Sequence, residues 1–408
     1  MTPTTSRMIG CASRCTATLD TMQRIRDELR RARQPALALL TAFVVGAFLI
    51  VLTDLDHLRQ IGTDPLAALG GALGGVVNGY PAMLAGAIGD PGRIAAAIGS
   101  GDADDIAAAI RPLSETLIIA TPFIFAGLGL AISFGAGLFN LGVDGQFIIG
   151  GLTASIAAGL AAGSLPPPLT LAVAISAGTI AGAGYGFIPG YLKARTGAHE
   201  VITTLMLNGI APNLAYLVAG LIGASRIPGA LPSVPRIIDL PTIRVDYGFV
   251  VALVMAAAVS FFLFRTARGF ELRVTGFSRT AARGAGIRSG RTMILAMTLA
   301  GGLVGMGSAL FGLGPAGGFS GGPSFEYGWV AIALALLGGR RPAGVVAAAL
   351  LYGALTTGAK NMVVVTGIPL ALLVVIIACT IMLVAAPDLT RSIWRPWKST
   401  PTAPDPYG

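Results

Sequence analysis

The sequence predicts an all-α polytopic membrane protein of about ten transmembrane helices, with N and C termini cytoplasmic and one broken or re-entrant segment. Three observations carry that prediction. Hydrophobic residues fill 54% of the 408 positions and charged residues only 12%, with a mean hydropathy of +0.77. A soluble domain carries about 25% charged residues. The apolar residues come mostly in runs of the length, about 17–25 residues, that crosses a hydrocarbon core of about 30 Å. The arginines, finally, alternate between loops in the way membrane topology demands.

Residues 1–35 read as a cytoplasmic head carrying Arg7, Arg14, Arg24, Arg26, Arg30, Arg31 and Arg33. Cys11 follows Met8-Ile9-Gly10, but no apolar stretch precedes it, so no signal peptide is expected. Cys11 and Cys15 lie in this head and Cys379 in the last span, which leaves no extracytoplasmic pair for a disulfide. Spans follow at 36–52, 113–133, 146–163, 169–190, 201–223, 249–264, 292–313, 327–339, 343–359 and 363–386. Together they make a transmembrane domain over 36–390, and 391–408 form a proline-rich cytoplasmic tail. The eighth span is short and is the candidate broken helix. An even count puts both termini on one side. All but seven of the 28 basic residues then fall on that side, the exceptions being Arg59, Arg93, Arg111, Arg226, Arg236, Arg244 and Lys360. The positive-inside rule makes the basic side cytoplasmic. The net charge of +9 is therefore topological and calls for no nucleic acid.

Residues 53–112 are expected to form an external region of short amphipathic helices at the membrane surface. Within it, Pro65–Gly89 is an uncharged stretch long enough to cross, yet a single crossing there would invert every later loop. Gly178, Gly182, Gly186 and Gly190 recur every four residues, as do Gly301 and Gly305. This is the small-residue stripe that lets membrane helices pack closely.

Between the second and third spans lies a knot of polar groups, Asn140, Asp144 and Gln146. A carboxylate at mid-bilayer costs roughly 2.5–3.5 kcal/mol even on lenient insertion scales, so such a group normally faces a water-filled path or a partner. Alternatively, Asp144 simply caps the helix beginning near Gly145; the two readings are compatible. With Glu200 and Asn208, the three are expected to gather around a substrate path, with Gly135–Gly145 breaking the helix pattern. The cytoplasmic loop 265–291 is the second informative stretch. There Ser278 can cap a short helix framed by Gly276 and Gly286, with Ala281, Ala282 and Ala285 on its apolar side. That is a docking knob for a cytoplasmic partner, or else a basic loop that only enforces topology.

Other chemistries find little support. Gly318–Gly322 matches G-x-S-x-G, but the only histidines are His57, in a loop on the outer face, and His199, near a cytoplasmic helix start, and they give the serine no base. No G-x-x-x-x-G-K-[ST] phosphate loop occurs, nor any His/Cys spacing for a metal. No cofactor is expected.

Four ordered stretches resemble the inner-membrane permease subunits of ABC importers of the nucleoside and simple-sugar branch, within the branched-chain/ribose-type permease superfamily. Gly137–Gln146 is similar to that family's F-N-[IL]-G-x-[ED]-G-Q. His199–Asn208 is similar to N-E-V-[IV]-[ST]-T-[IL]-M-L-N, with His199 in place of the usual Asn. Gly269–Ile287 resembles the loop that holds the coupling helix, with Ser278 in place of Asn. Gly328–Gly358 resembles a late A-I-A-V-A-L-L-G-x-x-x-P-x-G stretch. The resemblance covers about 36–386, although 78–110 looks longer than usual.

It implies half of a translocation pore for nucleosides or related sugars. The partners implied are a homologous second permease (a heterodimer), a cytoplasmic ABC ATPase subunit, an extracytoplasmic substrate-binding lipoprotein and the surrounding membrane lipids. Arg273, Gly276, Ala281, Ala282 and Gly286 would carry the contact with the ATPase. The rival reading is an ion-coupled secondary transporter or channel, which needs a charged path; the spans carry few carboxylates.

Overall fold

The computed structural model describes Leu37 and residues 40–53, 64–222, 243, 245–314 and 326–385. The head with Cys11 and Cys15, the G-x-S-x-G string, His57 and the tail lie outside them. Two compact units are present, one of residues 1–73 and 371–408, the other of 74–370.

The described residues are helical apart from loops and one isolated bridge. In chain order the helices are α1 (Leu40–Thr53), α2 (Pro65–Ile88), α3 (Pro91–Ser100), α4 (Ala103–Gly135), α5 (Val143–Ala161), α6 (Pro167–Thr196), α7 (Glu200–Ile222) and α8 (Tyr247–Arg265). Then follow α9 (Ala267–Phe277), α10 (Arg279–Gly284), α11 (Ser289–Leu313), α12 (Glu326–Leu337), α13 (Pro342–Thr366) and α14 (Leu370–Ala385). Seven of them, α4 to α8, α11 and α13, are long and apolar enough to cross a membrane, while α1, α12 and α14 are shorter apolar helices.

In the larger unit α4 is the central element, with Phe125, Ile124, Leu128 and Leu130 fully buried and α11, α12 and α13 packed around it. The most extensive helix pair is α6 with α11, and the glycine stripe explains it. Gly182 sits on the carbonyl of Gly301 and Gly305 on that of Gly178, so the two backbones touch at both places with no side chain between them. The expectation of small-residue packing therefore holds at atomic detail.

The segment 53–112 differs from a string of short surface helices. α2 runs unbroken for 24 residues through Pro81, and α4 begins at Ala103 and continues through Pro112. Only α3 is short and amphipathic, capped by the Asp90 carboxylate, which accepts from Gly92 N at 2.8 Å. Tertiary contacts outweigh the helix-breaking tendency of the prolines. Asn361 Nδ2 donates to the Ala82 carbonyl at 2.7 Å, and Thr116 Oγ1 donates to that of Ala87 at 2.7 Å. Gly358 admits the Met83 backbone at the same place. The C-terminal end of α2 is thereby fixed to α13 and α4.

Candidate functional site

The polar knot sits where α4 stops and α5 starts. Gly137 turns the chain with φ +69°, a region in which a Cβ is disfavoured. Residues 136–142 are non-helical, so their amides and carbonyls need partners. At membrane depth such backbone survives only where protein or water satisfies it.

Side chains supply those partners. Asn140 Oδ1 accepts from Gly142 N at 2.9 Å, and the Asn140 and Gln146 amides exchange hydrogen bonds at 3.3 and 3.4 Å. From α7, Thr204 Oγ1 accepts from Leu141 N at 3.2 Å. Asn208 does double duty, with Oδ1 accepting from Gly145 N at 2.9 Å and Nδ2 donating to the Leu141 carbonyl at 2.5 Å. Tyr185 of α6 closes the cluster, its hydroxyl donating to the Leu207 carbonyl at 2.7 Å. Asn140, Gln146 and Asn208 are all buried. They are brought together as expected, and what they hold is the irregular backbone itself, clamped against α7.

Asp144 faces another way. Its Oδ1 accepts from Gly328 N, in the first turn of α12, at 2.7 Å. Gly328 also presses close to that carboxylate, so any side chain there would displace it. Asp144 is 1% exposed and itself lies in the first turn of α5. Two helix N-termini, each equivalent to roughly half a positive charge, therefore meet on one carboxylate. The cap foreseen for α5 is a cap for α12. With 12 residues, α12 is about 18 Å long, short of the roughly 30 Å core. Tyr327 beside Gly328 is stacked on Phe147 at 4.3 Å and on Phe123 at 5.2 Å, which fixes this half-helix by its N-terminal end.

Glu200 stands apart from the other four. It pairs with Lys193 at 2.7 Å across the α6–α7 turn, while its carbonyl accepts from Thr204 Oγ1 at 2.7 Å. Its carboxylate is thus spent on the hairpin.

The second group of residues falls on α9 and α10, with Gly286 just past the end of α10. Ser278 caps α10 as the sequence suggests, accepting from Ala281 N at 3.2 Å. Ala282 is fully buried and anchors the knob inward, while Ala281 and Gly286 are exposed. Arg273 is exposed with its guanidinium 5.2 Å from the Phe264 ring. Gly276 has a role that spacing could not reveal: it lies directly on Gly135, Ala136 and Gly137, backbone to backbone. The element expected to meet a partner therefore touches the broken segment that leads to Asn140 and Asp144. Phe277, 93% exposed, was also missed. A bare aromatic beside a glycine in a basic loop was the available signal.

Residues 113–386 match the family described as branched-chain amino acid transport system / permease component. The chain belongs to that family. It is 35% identical over 301 residues to the guanosine ABC transporter permease protein NupP of Bacillus subtilis (strain 168), covering 69% of this chain and 83% of that one. It is 33% identical over 292 residues to the nucleoside ABC transporter permease protein NupB of Lactococcus lactis subsp. cremoris (strain MG1363), covering 67% and 79%. To the glucose ABC transporter permease protein TsgB13 of Haloferax volcanii it is 31% identical over 287 residues, covering 66% and 75%. No solved structure matches. The chain is a multi-pass membrane permease subunit of an ABC importer.

Proposed function

We propose that this permease forms half of a translocation pore for nucleosides, with related simple sugars as the second choice, and that its gate is the junction of α4, α5 and α12 at Asp144. The observation that carries this reading is the backbone-to-backbone contact between Gly276 and residues 135–137. Through it, a pull on α9 and α10 reaches the segment that holds Asn140 and Asp144. The names of NupP and NupB support nucleosides as the cargo.

In this account Arg273, Ala281, Gly286 and Phe277 meet a cytoplasmic ATPase, and Gly276 and Ala282 transmit its movement. Asp144 holds the N-terminus of α12 in one state and releases it in another. Asn140, Gln146 and Asn208 keep the moving segment hydrogen-bonded throughout, and Glu200 stiffens the hairpin that carries Asn208. A homologous permease completes the pore, and an extracytoplasmic binding lipoprotein delivers the cargo. The proposed topology has ten membrane-inserted apolar helices, α12 only partly crossing, with α1 entering from a cytoplasmic head and α14 leaving to a cytoplasmic tail.

The test is uptake of labelled guanosine by proteoliposomes holding the assembled complex. Asp144→Ala should abolish uptake while the complex still purifies intact. Uptake at the wild-type rate would reduce Asp144 to a cap. Uptake driven by an ion gradient without ATP would favour the secondary-transporter alternative instead.

A further inference from the structure

A cavity of about 540 Å³ opens between the C-terminal end of α6 and the start of α11. Four arginines line it, Arg195, Arg283, Arg288 and Arg291, and no acidic residue does. The ion pair at the α6–α7 turn, Lys193 with Glu200, involves none of them. α11 begins at Ser289 with Arg288 at its cap position, and no side chain caps its first amides. Ser289 itself is 5% exposed, lines the cavity, and its hydroxyl has no hydrogen-bond partner among the described residues. Arg195 lies over the Tyr191 ring at 5.8 Å, and none of the four arginines pairs with a carboxylate among the described residues. Such cations, a helix N-terminus and a buried unpartnered hydroxyl all call for an oxyanion.

The other wall of the cavity says which kind. Phe187 and Tyr191 of α6 line it, their rings 5.6 Å apart, each about two-fifths exposed. One turn further into the helix Gly184 has open space above its Cα, and beyond it Ile180 is 71% exposed. Positions 180, 184, 187 and 191 share one helix face at i, i+4, i+7 and i+11. An open apolar strip about 16 Å long thus runs from the basic cavity along a helix apolar enough to span the membrane. A soluble anion has no use for such a strip, whereas an acyl chain fits along it.

We propose that this cavity binds the phosphate headgroup of an anionic phospholipid, with one acyl chain laid over Tyr191, Phe187, Gly184 and Ile180. The inference rests on the reading above that the basic face is cytoplasmic and lies at the membrane boundary. Basic pockets between spans on that side have the chemistry to hold anionic lipid. Because Arg283 belongs to α10, the lipid would join α6 to the element that meets the ATPase.

The experiment is native mass spectrometry of the assembled complex in detergent, titrated separately with phosphatidylglycerol, phosphatidylcholine and inorganic phosphate. Phosphatidylglycerol should bind in preference to phosphatidylcholine, and millimolar phosphate should not displace it. Arg288→Gln with Arg291→Gln, both exposed, should weaken phosphatidylglycerol by roughly fivefold per arginine. Arg265→Gln with Arg268→Gln, on the same face but away from the cavity, should change it little.

Equal binding of the two lipids, displacement by phosphate, or equal losses in both double variants would overturn the proposal. Binding to the permease alone but not to the complex would do so too, since a subunit would then cover the cavity. The sidedness is checked apart from lipid. In a background lacking Cys11, Cys15 and Cys379, Gly284→Cys should react with an impermeant maleimide only in inside-out vesicles. Labelling from outside the cell would sink the topology, whatever the lipid titration gave.

Discussion

Asp144 shows how a carboxylate can be kept in an apolar protein with no cation beside it among the described residues. Its compensation is backbone, the N–H of Gly328 and the first turns of α5 and α12. Asp144→Asn keeps an acceptor for that amide and loses the charge that draws two helix ends together. Asp144→Ala loses both and leaves a buried amide without a partner, a cost of roughly 1–3 kcal/mol. Nucleoside uptake should therefore fall in the order wild type, Asn, Ala, while thermal stability of the purified complex drops measurably only for Ala. A charge-independent site would leave Asn at the wild-type rate.

A second carboxylate, Asp246, caps α8 just outside its span, accepting from Gly248 N at 2.9 Å. Burial pushes its carboxyl up from the ordinary 3.8 to about 6, partly offset by the backbone amides it accepts from. A raised carboxylate value means that the proton favours the folded state. The contribution is full below pH 3.8, declines as pH rises and is gone above about 6. Melting temperature between pH 4 and 7 should fall more for wild type than for Asp246→Asn, which cannot ionise and can still cap. Parallel curves would mean that Asp246 is not buried in this way.

At the level of elements, the contacts that matter are between backbones. Gly276 on Gly135–Gly137 joins α9 to the broken segment, and Gly182 on Gly301 joins α6 to α11. Overpacking a fitted contact costs about 1–3 kcal/mol, but the two substitutions should read out differently. Gly276→Leu should lose substrate-stimulated ATP hydrolysis with the complex still assembled. Gly182→Leu should lower the melting temperature and the yield, because it wedges the most extensive helix pair. Gly286→Trp is a cleaner probe of docking, since Gly286 looks into open space at φ +75°. It should uncouple hydrolysis from substrate with little change in melting beyond the left-handed cost of about 1–2 kcal/mol. Unchanged stimulation would move the docking surface elsewhere, for instance to the turn holding Arg340 and Arg341.

Over the whole molecule, what could be read from the sequence was what residue type encodes. Polar residues in an apolar run marked Asn140, Asp144, Gln146 and Asn208, and fourfold glycine spacing marked the α6 and α11 stripes. Ser278 ahead of two alanines marked the cap of α10. Each of these is a local pattern with a local cause. The partner of Asp144 is an amide 184 positions away, and an amide leaves no trace in composition. Lys193 and Glu200 meet only because Gly197 turns α6 into α7 with φ +74°. The continuity of α2 through Pro81 depends on Asn361 and Thr116, far along the chain. Tertiary contacts of that sort are where sequence reading stopped.

The central claim is that ATP, acting through α9 and α10, moves the α4–α5–α12 junction and so drives nucleoside import. It is tested most directly by labelled guanosine uptake into proteoliposomes containing the complex, with ATP on the side of α10 and no ion gradient. Wild type should accumulate guanosine only with ATP. Gly276→Leu should still hydrolyse ATP at its basal rate yet accumulate none. Accumulation by Gly276→Leu at the wild-type rate, or by wild type without ATP, would contradict the account.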